Sequence, residues 1–327
     1  MTAFLVRNRL ILFAWAGMIA LLLVTALFSP GFLSVANLRS TLVLAAFVGI
    51  VAFGQTFVIL GGGIDLSIPW VLNSSAVLMA LLCAGQDAPL VWVVPLLLGA
   101  GALVGLINGV GVAICGVPPI IMTLSANVIL QGLILVYTGG SPTPGAPAAI
   151  KVLAVGRIGG FPVIGLIWLA LAILATVLLS RTAFGRHLYA LGASPTVAAY
   201  SGVPTARTTI LTYVISGLTA ALAGMLLTGY SGQAYLGMGD SYLFTSVAAV
   251  AIGGASILGG SGHYIGTVAG ALVLTILTGL LPALNLSSGA LLVVYGAVIL
   301  LTVSLGSEAL SDLRILAARR RPPRPGD

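Results

Sequence analysis

Apolar residues fill this chain in blocks of about twenty, broken by short stretches of glycine, proline and polar residues. A bilayer-crossing helix needs ~20 apolar residues. The pattern therefore predicts an all-α polytopic membrane protein, folded as a single transmembrane domain over 1–327. Ten spans are expected, near 10–28, 41–60, 67–84, 91–115, 118–138, 163–180, 208–229, 244–258, 264–281 and 288–305. The eighth is short and reads as a partial or tilted span. The first follows Arg7 and Arg9, as a signal peptide would, but no small-residue cleavage site comes after it. It is expected to stay.

One interruption, 181–207, carries its own helix. Ser194 is a good N-cap, and Pro195 suits the first helical position, where a missing N–H costs nothing. Ala198 and Ala199 continue the turn over 196–201. Gly202 suits the left-handed position just past the end, and Pro204 stops any extension. So short a helix cannot span a bilayer. It is a knob between two spans, shaped to meet a soluble partner.

Charge then orients the chain. It is 59% hydrophobic and 6% charged, with a mean hydropathy of +1.20. Soluble domains carry roughly 25% charged residues. The net charge of +7 could suit nucleic acid, but the placement of the basic residues excludes that partner. With a cytosolic N-terminus, Arg7, Arg9, Arg181, Arg186, Arg207, Arg314, Arg319, Arg320, Arg321 and Arg324 fall inside. Only Arg39, Lys151 and Arg157 fall outside, as the positive-inside rule requires. Both termini are thus expected in the cytosol, with a disordered tail over about 312–327 against an anionic membrane face.

The most unusual apolar stretch runs Gly61-Gly62-Gly63-Ile64-Asp65-Leu66-Ser67-Ile68-Pro69. Its glycines allow positive φ or close backbone approach. Asp65 is expected to cap a helix starting at Leu66, with Pro69 in the first turn. An ionised Asp at mid-bilayer costs ~2.5–3.5 kcal/mol. A helix N-terminus returns only ~0.3–2 kcal/mol. Either Asp65 is an interfacial cap, or it faces a wet translocation pathway together with Ser67.

On the fifth span Thr123, Asn127 and Gln131 share one helix face. Such a stripe must meet protein or water, so interhelical hydrogen bonds and a pathway lining both satisfy it. Neutral donors and acceptors in a row suit a polyhydroxylated solute better than an ion. The spaced glycines Gly101, Gly105 and Gly109, and Gly266 with Gly270, are close-packing devices. Gly253 and Gly254, followed by Gly259 and Gly260, echo Gly62 and Gly63 and suggest a weak internal repeat. Residues 139–162 form a turn-rich external loop. In a second, 229–242, the tyrosines are expected at headgroup level.

Catalytic equipment is scarce. No catalytic residue, metal set or cofactor site is assigned. Gly259 to Gly262 is followed by His263 and Tyr264 rather than the Lys of a phosphate loop, and no nucleophile elbow or zinc-protease motif occurs. Cys83 and Cys115 match no redox spacing and read as small buried hydrophobes.

Several stretches resemble the membrane permeases of bacterial ABC importers for monosaccharides such as ribose. They are Gly62 to Ser67, Thr138 to Pro142, Arg181 to Arg186, Tyr189 to Gly192 and Ala198 to Val203. Ser216 to Gly224, and Ile252 to Ser256 with Gly259-Gly260, complete the set in family order. The resemblance implies an inner-membrane assembly of two permease subunits, alike or different. It further implies two cytosolic ATPase subunits that bind ATP and a periplasmic sugar-binding protein. The helix from Pro195 would be the coupling helix seated in the ATPase. Two departures stand out: Pro69-Trp70 replaces small residues, and the coupling helix lacks acidic residues at its start. A self-sufficient secondary transporter or channel for a small polar solute is the alternative. Co-purification of an ATPase separates the two.

Overall fold

The computed structural model describes residues 9–28, 30–142 and 145–283, with further helical positions at 289, 292–297 and 300. The chain is helical almost throughout: α1 (Arg9–Phe28), α2 (Val35–Leu60), α3 (Ile68–Cys83), α4 (Leu90–Ala113) and α5 (Pro119–Thr138) come first. Then come α6 (Ala148–Val155), a two-residue hairpin β1 (Arg157–Ile158) and β2 (Phe161–Pro162), and α7 (Val163–Arg181). The order ends with α8 (Ala183–Ala193), α9 (Pro195–Tyr200), α10 (Thr205–Ser231), α11 (Tyr242–Ile252) and α12 (Tyr264–Ala283). Five of these, α2, α4, α5, α7 and α10, are long and apolar enough to cross a membrane, and shorter apolar helices accompany them. The expected tenth span, 288–305, lies largely outside the described residues; Arg7 and the tail at 312–327 lie wholly outside them.

Helix α10 is the central post. The α4 glycines meet its backbone: a Cβ at Gly101, Gly105 or Gly109 would collide with Gly217, Tyr213 or Ile210. Those glycines are thus the close-packing seam their spacing predicts. Gly266 and Gly270 do the same between α12 and α11, against Gly253 and Ala249.

Two helices fall short of a full span for one shared reason: α3, 16 residues long and within a residue of the expected 67–84, and α11, expected to be short and 11 residues long. Helix α3 runs beside α10 in the same direction, with Gly224 on the Leu72 backbone and Thr228 donating to Ala76 O at 3.0 Å. Asp65, just before α3, is bonded to Ser216. Ser216 lies eleven residues into α10, roughly 16 Å along its axis. The chain therefore breaks beside the middle of α10, and α3 runs only along the C-terminal half of it. The loop after α10 folds back inward: Gly239 packs on the Pro69 backbone, and Asn73 Nδ2 donates to Tyr235 O at 3.1 Å. This loop was expected at the surface. Because it re-enters, α11 begins deep, and its 11 residues suffice for the remaining depth.

The two breaks share one cap. Gly62 N–H bonds to Ile59 O and Gly63 N–H to Val58 O; Gly254 N–H bonds to Ala251 O and Ala255 N–H to Val250 O. Gly62 and Gly254 have φ of 84° and 82°. Both are Schellman endings, so Gly62 and Gly254 hold matching places in the two breaks. Other expectations need correcting. Helix α2 starts at Val35, not 41, because Ser34 accepts the Asn37 N–H. The external loop 139–162 holds α6 and the hairpin, and the loop 181–207 holds α8 as well as α9. Cys83 is buried as expected, but Cys115 is exposed.

Candidate functional site

Asp65, 1% exposed, is buried in the break between α2 and α3. Its Oδ1 accepts the Ser67 N–H at 2.9 Å and the Ser67 hydroxyl at 2.6 Å. Its Oδ2 accepts the Ser216 hydroxyl at 2.6 Å. Each hydrogen bond to a charged group contributes ~1.5–3 kcal/mol. Three together offset the ~2.5–3.5 kcal/mol insertion cost that a helix N-terminus alone could not. The expected cap is corrected in register. The helix starts at Ile68, Ser67 holds the cap position without a side-chain bond, and Asp65 closes a local turn instead.

Every neighbouring element grips this break. From α4, Asn108 Nδ2 donates to Ser67 Oγ at 2.9 Å. From α5, Thr123 Oγ1 accepts the Leu66 N–H at 3.0 Å, and Asn127 Oδ1 accepts the Trp70 N–H at 3.2 Å. A helix N-terminus leaves backbone donors without intrahelical partners. Pro69 has none to offer, and α5 supplies acceptors for donors on either side of it. Two members of the polar stripe therefore act as interhelical glue. Gln131, the third, is half-buried.

Several buried polar atoms near these helices have no hydrogen-bond partner among the described residues: both amide atoms of Gln55, Asn108 Oδ1, Asn73 Oδ1 and the Tyr213 hydroxyl. The Tyr213 hydroxyl sits against Gly63, at 2.5 Å from where a Cβ would stand. Of these residues Tyr213 lines a cavity of about 300 Å³, together with Gly61, Gly62, Gly63, Leu191 and Pro195. No cluster of metal-ligating side chains occurs among the described residues.

Helix α9 forms as its punctuation predicts. Ser194 Oγ accepts the Val197 N–H at 3.4 Å, Pro195 takes the first position, and Gly202 has a φ of 79°. Gly202 N–H bonds to Ala199 O and Val203 N–H to Ala198 O, a third Schellman ending. Ala198 is 3% exposed and faces inward. The outward face carries Val197 and Tyr200, 62% and 90% exposed. Helix α8 joins this knob to both breaks. Tyr189 donates to Gly262 O at 2.7 Å, and Leu188 Cδ1 lies 3.3 Å from the Cβ position of Gly61. Gly192 packs on Leu60 O and Gly260 N, themselves hydrogen-bonded at 3.0 Å. Gly259, against the Gly62 backbone, and Gly260, bonded to Leu60 O, thus meet the end of α2 at this junction, whereas Gly253 packs on Gly266 of α12.

Sequence reasoning missed Ser216, Asn108, Tyr213 and Tyr200 as contributors. Ser216 opened one of the stretches that carried the family resemblance, and Asn108 stands within the α4 glycine row. Neither stood out from its apolar surroundings.

A family model described as "Branched-chain amino acid transport system / permease component" matches residues 37–303. The ribose import permease protein of Bacillus subtilis is 37% identical over 294 residues, covering 88% of this chain and 90% of that protein. That of Haemophilus influenzae is 34% identical over 306 residues, covering 92% and 93%. The autoinducer 2 import system permease protein of Yersinia pseudotuberculosis is 36% identical over 226 residues, covering 67% and 68%. No solved structure matches.

Proposed function

Because this chain belongs to the family of branched-chain amino acid transport system permease components, we propose that it is the membrane subunit of an ATP-driven importer for a monosaccharide or similar polyhydroxylated solute. It pairs with a second permease subunit. A periplasmic binding protein delivers the solute, and cytosolic ATPase subunits, which bind the ATP, seat on α9. Two relatives carry ribose in their names, which supports a sugar. Neutral hydroxyls and amides around Asp65 support a solute that exchanges hydrogen bonds rather than an ion.

The observation that carries the proposal is the continuous link from the exposed face of α9, through α8, to the glycine turn before Asp65. A partner that moves Val197 and Tyr200 moves α8, and α8 bears on the break between α2 and α3. The test is reconstitution of the assembly purified in mild detergent, with ribose and leucine as competing probes. Ribose-stimulated ATP hydrolysis, abolished by Tyr200→Asp with the fold intact, is expected. Solute uptake by the chain alone, without an ATPase, refutes the reading.

A further inference from the structure

We propose that the face formed by α2, α7 and the β1–β2 hairpin binds one anionic phospholipid. Its phosphate sits between Arg39 and Arg157, and one acyl chain lies in the apolar groove below. Two adjoining cavities of opposite character carry this. The first, about 150 Å³, is lined by Arg39, Ser40, Arg157 and Tyr230. The second, about 450 Å³, is lined by Leu42, Gly165, Leu169, Ala172 and Leu272. Pro162 lines both, so the polar and the apolar cavity adjoin at that residue.

Charge and length select the occupant. Among the described residues no carboxylate lines either cavity, and two guanidinium groups share the polar one. Arginine suits a phosphate because its planar fork presents paired donors to oxygens. Arg39 lies over the hairpin turn, its Nη2 3.1 Å from the Cβ position of Gly160. From Pro162 to Ala172 the chain rises ten residues, roughly 15 Å along a helix. That is half of a ~30 Å hydrocarbon core, the depth of one leaflet. Gly165 leaves the groove floor without a side chain, with Leu42 Cδ2 3.3 Å from its Cβ position. Arg157 precedes α7, whose far end leads into α8 and α9, so the lipid belongs to the leaflet opposite α9. A carboxylate on a soluble partner would meet the arginines but leave the groove unused. Free phosphate would do the same.

The test uses the full chain, purified and delipidated, with dioleoyl phosphatidylglycerol, dioleoyl phosphatidylcholine and inorganic phosphate as separate probes. Native mass spectrometry counts retained lipid, and thermal shift reads affinity. Phosphatidylglycerol should bind in preference to phosphatidylcholine. The pair Arg39→Gln/Arg157→Gln should weaken it about 25-fold, about fivefold for each basic side chain at an anionic surface. The pair Arg39→Lys/Arg157→Lys should keep most of the preference, and Gly165→Leu should weaken both lipids by filling the groove. Unchanged phosphatidylglycerol affinity in the glutamine pair overturns the site. So does inorganic phosphate competing as well as the lipid with Gly165→Leu silent. Loss of binding-protein docking with lipid retention intact overturns it in favour of a protein partner. If the glutamine pair fails to fold, Gly165→Leu and the lysine pair decide: undiminished lipid binding in the first, or no preference in the second, overturns the site.

Discussion

A single methyl group at Gly192 should uncouple the knob from the break. Gly192 lies in the last turn of α8. A Cβ there would press on Leu60 O and Gly260 N, and stand 3.0 Å from Gly260 Cα. The two pressed atoms are the ends of one 3.0 Å hydrogen bond, so the methyl wedges between them. Overpacking of this kind costs ~1–3 kcal/mol. Loss of the hydrogen bond adds ~0.5–1.5 kcal/mol. Alanine's helical preference over glycine returns ~0.5–1 kcal/mol. The balance is about 2 kcal/mol against the tight junction, or ~30-fold in its population. The outward face of α9 is untouched, so ATPase binding should survive while solute moved per ATP falls. The assay is uptake and ATP hydrolysis on the same reconstituted Gly192→Ala assembly, beside its melting temperature. Gly99→Ala is the control, because no atom lies within 4 Å of its Cβ position. It should gain up to ~1 kcal/mol. Wild-type melting and wild-type coupling in Gly192→Ala would refute both the tight junction and its role.

Asp65→Asn keeps an acceptor for Ser67 and can donate to Ser216, so it should insert and melt near wild type; Asp65→Ala strands three donors and should cost ~3 kcal/mol or more. Equal melting of the two variants would show that the hydrogen bonds are not what holds Asp65. Asn127→Leu removes the acceptor of the Trp70 N–H and should cost ~0.6–2 kcal/mol in detergent melting. A larger loss from Gln131→Leu than from Asn127→Leu would contradict the glue reading. Gly202→Val forces a β-branched residue to a φ of 79° and should cost ~1–2 kcal/mol locally. Expression should hold while coupling fails, with Ala149→Val in α6 as the comparison; full coupled transport by Gly202→Val would exclude α9 from transmission.

The sequence by itself determined what depends on neighbours a few residues away. Serine, proline and glycine at 194, 195 and 202 specify α9 because capping and left-handed φ are local constraints. The glycine rows on α4 and α12 announced close packing because only a missing Cβ lets two backbones meet. Blocks of apolar residues announced spans because the backbone in hydrocarbon must bond to itself. Depth was different. Residues 68–83 and 242–252 are as apolar as full spans; the Asp-Leu-Ser-Ile-Pro run marks where the first begins along the chain, but nothing in either says at what depth it begins. That is decided by where α2 and the loop after α10 leave the chain, which only packing against α10 determines. The same holds for Asp65, Thr123 and Asn127. Their types and spacing require a polar partner; Ser67 is local to Asp65, but the Leu66 and Trp70 amides and the Ser216 hydroxyl lie 57 to 151 residues from the groups they bond. A hydrogen bond needs two groups within about 3 Å, and at that separation along the chain only the tertiary fold brings them together.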